Sequence, residues 1–139
     1  MNDFFDNLTY TNDDIIHFPA GVPGFERNKD FVLVHNEEFA PFEWLACVDG
    51  SHLRFAVINP MLIKPDYAPN LIKEQLEDLA FSAPEDVLVY SIVTIRENPV
   101  ESTVNLIGPI IINKKSRRAK QIIIDDERYG TQEPIIGKT

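Results

Sequence analysis

The apolar residues of this chain fall into short runs rich in Val, Ile and Phe, and Gly, Pro, Asn or Asp bounds each run. Such runs predict β-strands separated by turns. The run at 87–96 is apolar on both faces for most of its length, which indicates a strand in the middle of a sheet. Pro109 has no backbone N–H, so we expect an edge, a bulge or a bend there. The predicted strands are 15–18, 31–34, 42–48, 53–58, 87–96, 103–113 and 121–125.

Segment 68–81 departs from the strand pattern and predicts a helix of about three turns. Its apolar stripe at helical spacing includes Ile72, Leu76 and Leu79, and Pro84 lies just beyond its end. No repeat or linker is visible in the 139 residues, which predicts one domain over 1–139. The predicted fold is therefore mainly β, a small antiparallel barrel- or sandwich-like single domain with one short α-helix at about residues 70–80.

The charge of the chain is strongly acidic. Its formal net charge is −9, and the first 70 residues alone contribute −7. Such a surface repels nucleic acid, because binding to phosphates depends on Lys and Arg. The charge either serves solubility alone or steers a basic protein partner.

Three features predict a cytoplasmic protein without a membrane segment. The first ten residues carry Asp where a signal peptide needs positive charge. No apolar run approaches the ~20 residues that span a bilayer. Cys47 is the single cysteine, so no disulfide can form within the chain, in keeping with a reducing compartment.

The stretch FPAGVPGFE at 18–26 has the glycines of a phosphate-binding loop but not its other features. Pro19 and Pro23 offer no N–H to a phosphate, and a predicted strand rather than a helix follows. The Pro23-Gly24 pair instead favours a type II turn, in which proline fixes φ and glycine supplies positive φ. We interpret the stretch as a rigid turn that presents Phe25 and Glu26.

No motif in the sequence predicts a catalytic, cofactor or metal site. His17, His35 and His52 show none of the short spacings of metal ligands. Cys47 lies within a predicted strand, where burial as a small apolar residue is favoured over a nucleophilic role. Carboxylates assembled across the fold could still form an enzyme site, and this hypothesis stays open.

Five cations lie close together in the predicted turn at 113–121. One interpretation is a nucleic-acid contact, but no aromatic residue for base stacking is interleaved with them. The other is that cations at a hairpin tip prevent Ile-rich strands from pairing between molecules. The five residues are Lys114, Lys115, Arg117, Arg118 and Lys120.

Three stretches in a fixed order resemble the flagellar assembly factor FliW family: FPAGVPGFE, FEWLACVDGSHLRFAVINP and VNLIGPIIINKKSRRAKQII. The resemblance covers roughly 13–136. Its most specific elements are the Pro-Gly-Phe-Glu at 23–26, the pair Asn59-Pro60, and the Asn-Leu-x-x-Pro-Ile at 105–110 followed by Asn113 and Gln121.

The resemblance implies a non-enzymatic protein of the bacterial cytoplasm. We further expect that it needs no cofactor, is monomeric when free and binds no nucleic acid directly. It implies two protein partners: flagellin awaiting export, and the RNA-binding translational regulator CsrA, which represses flagellin synthesis. Export of flagellin would free the factor to antagonise CsrA, at a site other than the RNA-contacting face. Flagellin synthesis would thereby be coupled to export.

Within this frame, we expect partner contacts at the rigid loop and at the basic turn. Phe25 either packs inward beneath its loop or anchors a partner. Asn59 and Asn105 are expected to hold local turns rather than contact a partner. The candidate partner-binding residues are Phe25, Glu26, Lys114, Lys115, Arg117 and Arg118.

The chain departs from the family pattern at two places. Ala46-Cys47 replaces a Gln-Ser pair that is common in the family, so a polar role there is lost or moved. Ala119 replaces a common glycine, and alanine resists positive φ, which predicts a different geometry at the basic turn.

Overall fold

The computed structural model describes residues 9–135, and its strands close into a barrel. Seven antiparallel neighbours follow one another in the order β1-β2-β3-β4-β5-β7-β8. A parallel bridge between His17 and Arg118 joins the last strand back to the first. The mainly β, barrel-like prediction is confirmed. The strands are β1 (Ile16–His17), β2 (Asp30–Val34), β3 (Glu43–Cys47), β4 (Arg54–Ile58), β5 (Val87–Thr94), β6 (Thr103–Val104), β7 (Ile110–Asn113), β8 (Ala119–Gln121) and β9 (Glu133–Pro134).

Strand β5 is central, as its apolar pattern predicts. Its first half pairs with β7, and its end pairs with β6, which in turn pairs with the short strand β9. The single strand predicted at 103–113 is wrong, because the chain turns between β6 and β7. Asn105 Oδ1 accepts hydrogen bonds from the N–H groups of Ile107 and Gly108, and Pro109 follows. Of the edge, bulge or bend expected at Pro109, the structure has a bend, which lies at residues 106–108 just before it.

The last predicted strand, 121–125, corresponds to an observed strand that lies earlier in the chain. Strand β8 already ends at Gln121. Ile122 and Ile124 are buried, and their N–H groups donate to Pro109 O and Ile107 O without extending the strand. Burial of these side chains therefore explains why residues 121–125 are apolar, although they lie mostly outside strand β8. Strand β9 was not predicted, since it has only two residues and one is a proline.

The core lies on both faces of the barrel wall. The interior cluster takes residues from most strands, among them Phe18, Phe31 and Leu45. A second cluster on the outside includes Leu79 and Leu106. Strand β7 contributes to both, with Ile110 and Ile112 inside and Ile111 outside. This alternation follows from the two-residue period of a strand.

The predicted helix at 70–80 is shorter than three turns. Helix α1 spans only Lys73–Leu76, and a 3-10 turn at Glu77–Leu79 follows it. Ile72, placed on the apolar stripe, is exposed and extended, and its N–H donates to the side chain of Gln75. The carbonyl oxygen of Leu79 accepts hydrogen bonds from the side chains of Asn113 and Ser116. Ala80 then takes a left-handed conformation, which ends the helical segment. Within residues 9–135, no helix has the length and apolarity needed to cross a membrane.

Candidate functional site

The turn that joins β7 to β8, here called the basic tip (residues 114–118), is built around one buried side chain. Asn113 is 1% exposed. Its Oδ1 accepts from the N–H groups of Lys115 at 2.9 Å and Ser116 at 3.1 Å. Its Nδ2 donates to Leu79 O at 2.8 Å. One amide thus shapes the tip and fastens it to the segment after α1.

The cations of the tip region divide into two groups. Arg117 Nη2 donates to Asp14 O at 2.9 Å, and Arg118 Nη1 donates to Asp78 O at 3.3 Å. Lys120 Nζ lies 3.0 Å from Asp78 Oδ1. These three cations hold neighbouring segments of the protein.

Lys114 and Lys115 form the second group, because both are exposed. Neither ammonium group forms a salt bridge with a carboxylate of residues 9–135. The backbone N–H of Lys114 donates to Asp86 O at 2.9 Å, which fixes the position of the residue while leaving its side chain at the surface. Of the five cations, these two are the ones presented to solvent without such a partner.

Ala119 does not occupy a position of positive φ in this chain. Ala119 lies within β8 and is fully buried in the interior cluster. The residue of the tip with positive φ is Arg117, at +62°. Its N–H donates to Asn113 O at 2.8 Å, which offsets part of the strain.

The loop at 18–26 forms the predicted turn. Phe25 N donates to Val22 O at 2.7 Å, and Gly24 has a φ of +89°. Phe25 is 42% exposed, yet its ring edge packs on Phe55 with the centroids 5.4 Å apart. Glu26 is exposed and accepts a hydrogen bond from Gly24 N at 3.2 Å. Phe25 and Glu26 therefore belong to a loop distinct from the basic tip, and Phe25 packs on its own protein while keeping part of its ring at the surface.

An apolar groove of about 730 Å³ lies beside the basic tip, between α1 and the start of β5. Sequence analysis missed it, because its lining comes from two segments, 71–77 and 80–87, that only the fold brings together. The signal that could have found it is the spacing of small and apolar residues through 80–87. Its apolar lining includes Leu71, Leu76, Phe81, Ala83, Pro84 and Val87.

The remaining candidates for chemistry have structural roles. His17 Nδ1 lies 2.7 Å from Asp30 Oδ1, and no group of His, Cys, Asp and Glu in residues 9–135 could hold a metal ion. Cys47 is buried, and burial raises the pKa of its thiol. Asn59 Oδ1 accepts from Met61 N at 3.0 Å, so the turn-holding role expected of Asn59 is confirmed, as it is for Asn105.

The fold and these turns agree with the comparisons with known proteins. A family model described as FliW protein matches residues 1–135. The chain belongs to the FliW family.

Individual members of the FliW family are similar to the chain in sequence and in structure. The chain is 37% identical over 133 residues to a flagellar assembly factor FliW of Alkaliphilus metalliredigens, covering 95% of this chain and 82% of that protein. It is 42% identical over 125 residues to one of Caldicellulosiruptor saccharolyticus, covering 90% and 82%. A crystal structure of the flagellar assembly factor FliW superposes with a TM-score of 0.87 at 34% identity, covering 94% of this chain and 92% of that one.

Proposed function

We propose that this chain is a non-enzymatic regulatory protein of the cytoplasm that binds flagellin and antagonises CsrA. The observation that carries the proposal is its membership of the FliW family along almost its whole length. The relatives are named flagellar assembly factors, and the two partners are those that the family resemblance implies. Phe25, Glu26, Lys114, Lys115, Arg117 and Arg118 remain the proposed partner contacts.

Mass action is sufficient for the regulation. Two partners draw on one pool of the protein, so the free pool sets how much CsrA is sequestered. While flagellin accumulates, it occupies the pool and CsrA represses translation. When flagellin leaves by export, the freed protein binds CsrA and repression ends. No covalent chemistry is needed.

The structure supports a protein partner over a nucleic acid at the basic tip. Arg117 and Arg118 donate to the backbone carbonyls of Asp14 and Asp78, and Lys120 pairs with the carboxylate of Asp78. Lys114 and Lys115 are therefore the two cations of the tip region whose side chains are not engaged within residues 9–135. A net charge of −9 opposes a polyanion over the rest of the surface. The basic tip therefore suits a few specific contacts rather than a nucleic-acid footprint.

The test is to add the protein to a CsrA–RNA complex and follow the RNA by gel shift, with size-exclusion chromatography of the two proteins in parallel. We expect RNA release and a protein–protein peak, and flagellin added first should prevent both. Persistence of the CsrA–RNA complex at every concentration would refute the antagonism. Direct binding of bare RNA that weakens steeply with salt would instead support the nucleic-acid alternative.

A further inference from the structure

We propose that the open backbone edge at the end of strand β2, formed by Leu33 and His35, accepts an extended segment of flagellin as an additional strand. The incoming strand would bond to the backbone N–H and C=O groups of these two residues, and one of its side chains would enter the pocket beside them. The inference rests on the proposed function, because it says how one of the two proposed partners is held.

The second half of β2 is paired on one side only. Asp30 O accepts a hydrogen bond from Val48 N at 3.0 Å, so the even-numbered residues of β2 bond to β3. The odd-numbered residues point toward β1, which pairs only with positions 30 and 31. Leu33 and His35 lie beyond that pairing, and their backbone groups form no hydrogen bond within the described part of the chain. The edge therefore offers two N–H and two C=O groups to another strand.

A local turn keeps this edge open. If β1 continued as a strand toward the N-terminus, its register would place Asp14 opposite Leu33. Instead, Asn12–Asp14 forms a 3-10 turn. Thr11 N donates to Asp14 Oδ2 at 2.9 Å, and Asp14 N donates to Thr11 O at 3.0 Å. These local hydrogen bonds compete with pairing to β2 and leave its edge unpaired.

A pocket of about 290 Å³ lies along the open edge. Its lining combines residues 32–35 with Thr9, Tyr10, Asp14 and Arg117. Arg117 Nη2 donates to Asp14 O at 2.9 Å, whereas Arg117 Nε is buried and has no hydrogen-bond partner among the described residues. A buried donor without an acceptor costs free energy. The pocket lining and the edge therefore both lack acceptors, which the carbonyl groups of an extended backbone supply.

The sequence of the edge does not protect it from pairing. Proteins commonly place lysine or proline on an edge strand that must stay unpaired, but residues 32–34 are Val-Leu-Val. Val34 lines the pocket and belongs to neither core cluster. Strand addition at such an edge is a recurrent mode of recognition, in which backbone hydrogen bonds give affinity and pockets for alternate side chains give specificity.

The occupant that fits an open edge is a segment without a partner strand of its own. Flagellin that awaits export is a subunit not yet assembled, whereas CsrA acts through an RNA-contacting face, which requires a folded protein. A second copy of the chain is disfavoured by the net charge of −9 on each copy. Flagellin is therefore the occupant.

The experiment measures amide hydrogen exchange of the full-length chain with and without purified flagellin, and the affinity for flagellin by calorimetry. We expect the N–H groups of Leu33 and His35 to exchange about tenfold more slowly, or slower still, in the complex. His35→Pro removes one edge donor but no hydrogen bond to β3, and should weaken flagellin binding by about fivefold or more. Val34→Lys places a charge beside the edge and should weaken binding to a similar extent.

Matched controls separate the backbone donor from the side chain. His35→Ala keeps the N–H, and Val100→Lys makes the same charge change at an exposed residue that does not line the pocket. Both should bind flagellin with wild-type affinity. Each variant is first checked for an unchanged melting curve. If His35→Pro fails to fold, the amide exchange of the wild type and the affinity of Val34→Lys decide the question.

The outcomes separate this inference from the proposed function. If the wild type does not bind flagellin, the proposed function fails for that partner and the inference with it. If the wild type binds flagellin but the amides of Leu33 and His35 exchange as fast as before, the proposed function stands and the edge is not the site. Protection of these amides by CsrA, or by self-association of the chain without flagellin, would also overturn the assignment.

Discussion

Replacing Asn113 by alanine tests whether one buried amide holds the basic tip to the barrel. The change removes three hydrogen bonds: from Nδ2 to Leu79 O, and to Oδ1 from the N–H groups of Lys115 and Ser116. Each such bond is worth about 1 kcal/mol net. Water can reach the two tip N–H groups, since Lys115 and Ser116 are exposed, and Ser116 Oγ still donates to Leu79 O. We therefore expect Asn113→Ala to lower the free energy of unfolding by about 2–3 kcal/mol.

Urea denaturation followed by the fluorescence of Trp44, the single tryptophan, measures this loss. For a chain of this length, the expected change corresponds to a fall in melting temperature of about 6–12 °C. Asn98→Ala is the control, because Asn98 is exposed and its side chain accepts only a 3.4 Å bond from Val100 N. Asn98→Ala should cost less than about 0.5 kcal/mol.

Asn113→Asp distinguishes the contribution of the donor Nδ2 from that of the acceptor Oδ1. Aspartate keeps an acceptor for the tip N–H groups but places a carboxylate oxygen against Leu79 O. We expect it to destabilise at least as much as alanine, because a buried charge then faces a carbonyl. A loss for Asn113→Ala no larger than that of the Asn98 control would refute the reasoning, as would an aspartate variant of wild-type stability.

Three further predictions concern single backbone or side-chain positions. Ala80 has a φ of +57°, so Ala80→Gly should stabilise by about 0.5–1 kcal/mol, whereas Ala83→Gly, in extended backbone, should destabilise by a similar amount in thermal melts. Gly21 and Gly24 both have positive φ, but a Cβ at Gly21 would lie 2.5 Å from the backbone of Glu26, whereas one at Gly24 would have no atom within 4 Å. In urea denaturation, Gly21→Ala should therefore lower the free energy of unfolding by clearly more than the ~1 kcal/mol expected for Gly24→Ala. Because burial raises the pKa of the Cys47 thiol, a disulfide reagent should modify it much more slowly in the native protein than in urea, and equal rates would contradict the burial.

Much of the barrel could be predicted from local patterns. Five of the seven barrel strands fall within predicted runs and a sixth, β2, begins one residue before its run, because alternation and β-branched residues record burial on the two faces of a strand. The Pro23-Gly24 turn and the roles of Asn59 and Asn105 were also predictable, since each depends on residues within a few positions of one another. Local physical chemistry determines these features.

The errors arise where distant segments compete for a backbone group. A helical period through 68–81 cannot show that Leu79 O will be taken by Asn113 and Ser116, more than 30 residues away in sequence. Likewise, the apolar run at 121–125 records the burial of Ile122 and Ile124 but not where the ladder of β8 ends. Both errors come from tertiary contacts that override local preference.

The same contacts explain why the basic tip could be found in the sequence and the apolar groove could not. Lys114 and Lys115 are contiguous in the sequence, whereas the groove is lined by residues of 71–87, a segment that contacts the tip region through Leu79 O and Asp86 O. Asn113 is the link, since its amide shapes the lysine turn and fixes Leu79 beside the groove. Because Lys114 and Lys115 are proposed partner contacts, loss of this amide should weaken the partner complex even under conditions where the variant is fully folded. An Asn113→Ala protein that melts earlier but binds with wild-type affinity would mean that the shape of the basic tip does not matter for partner binding.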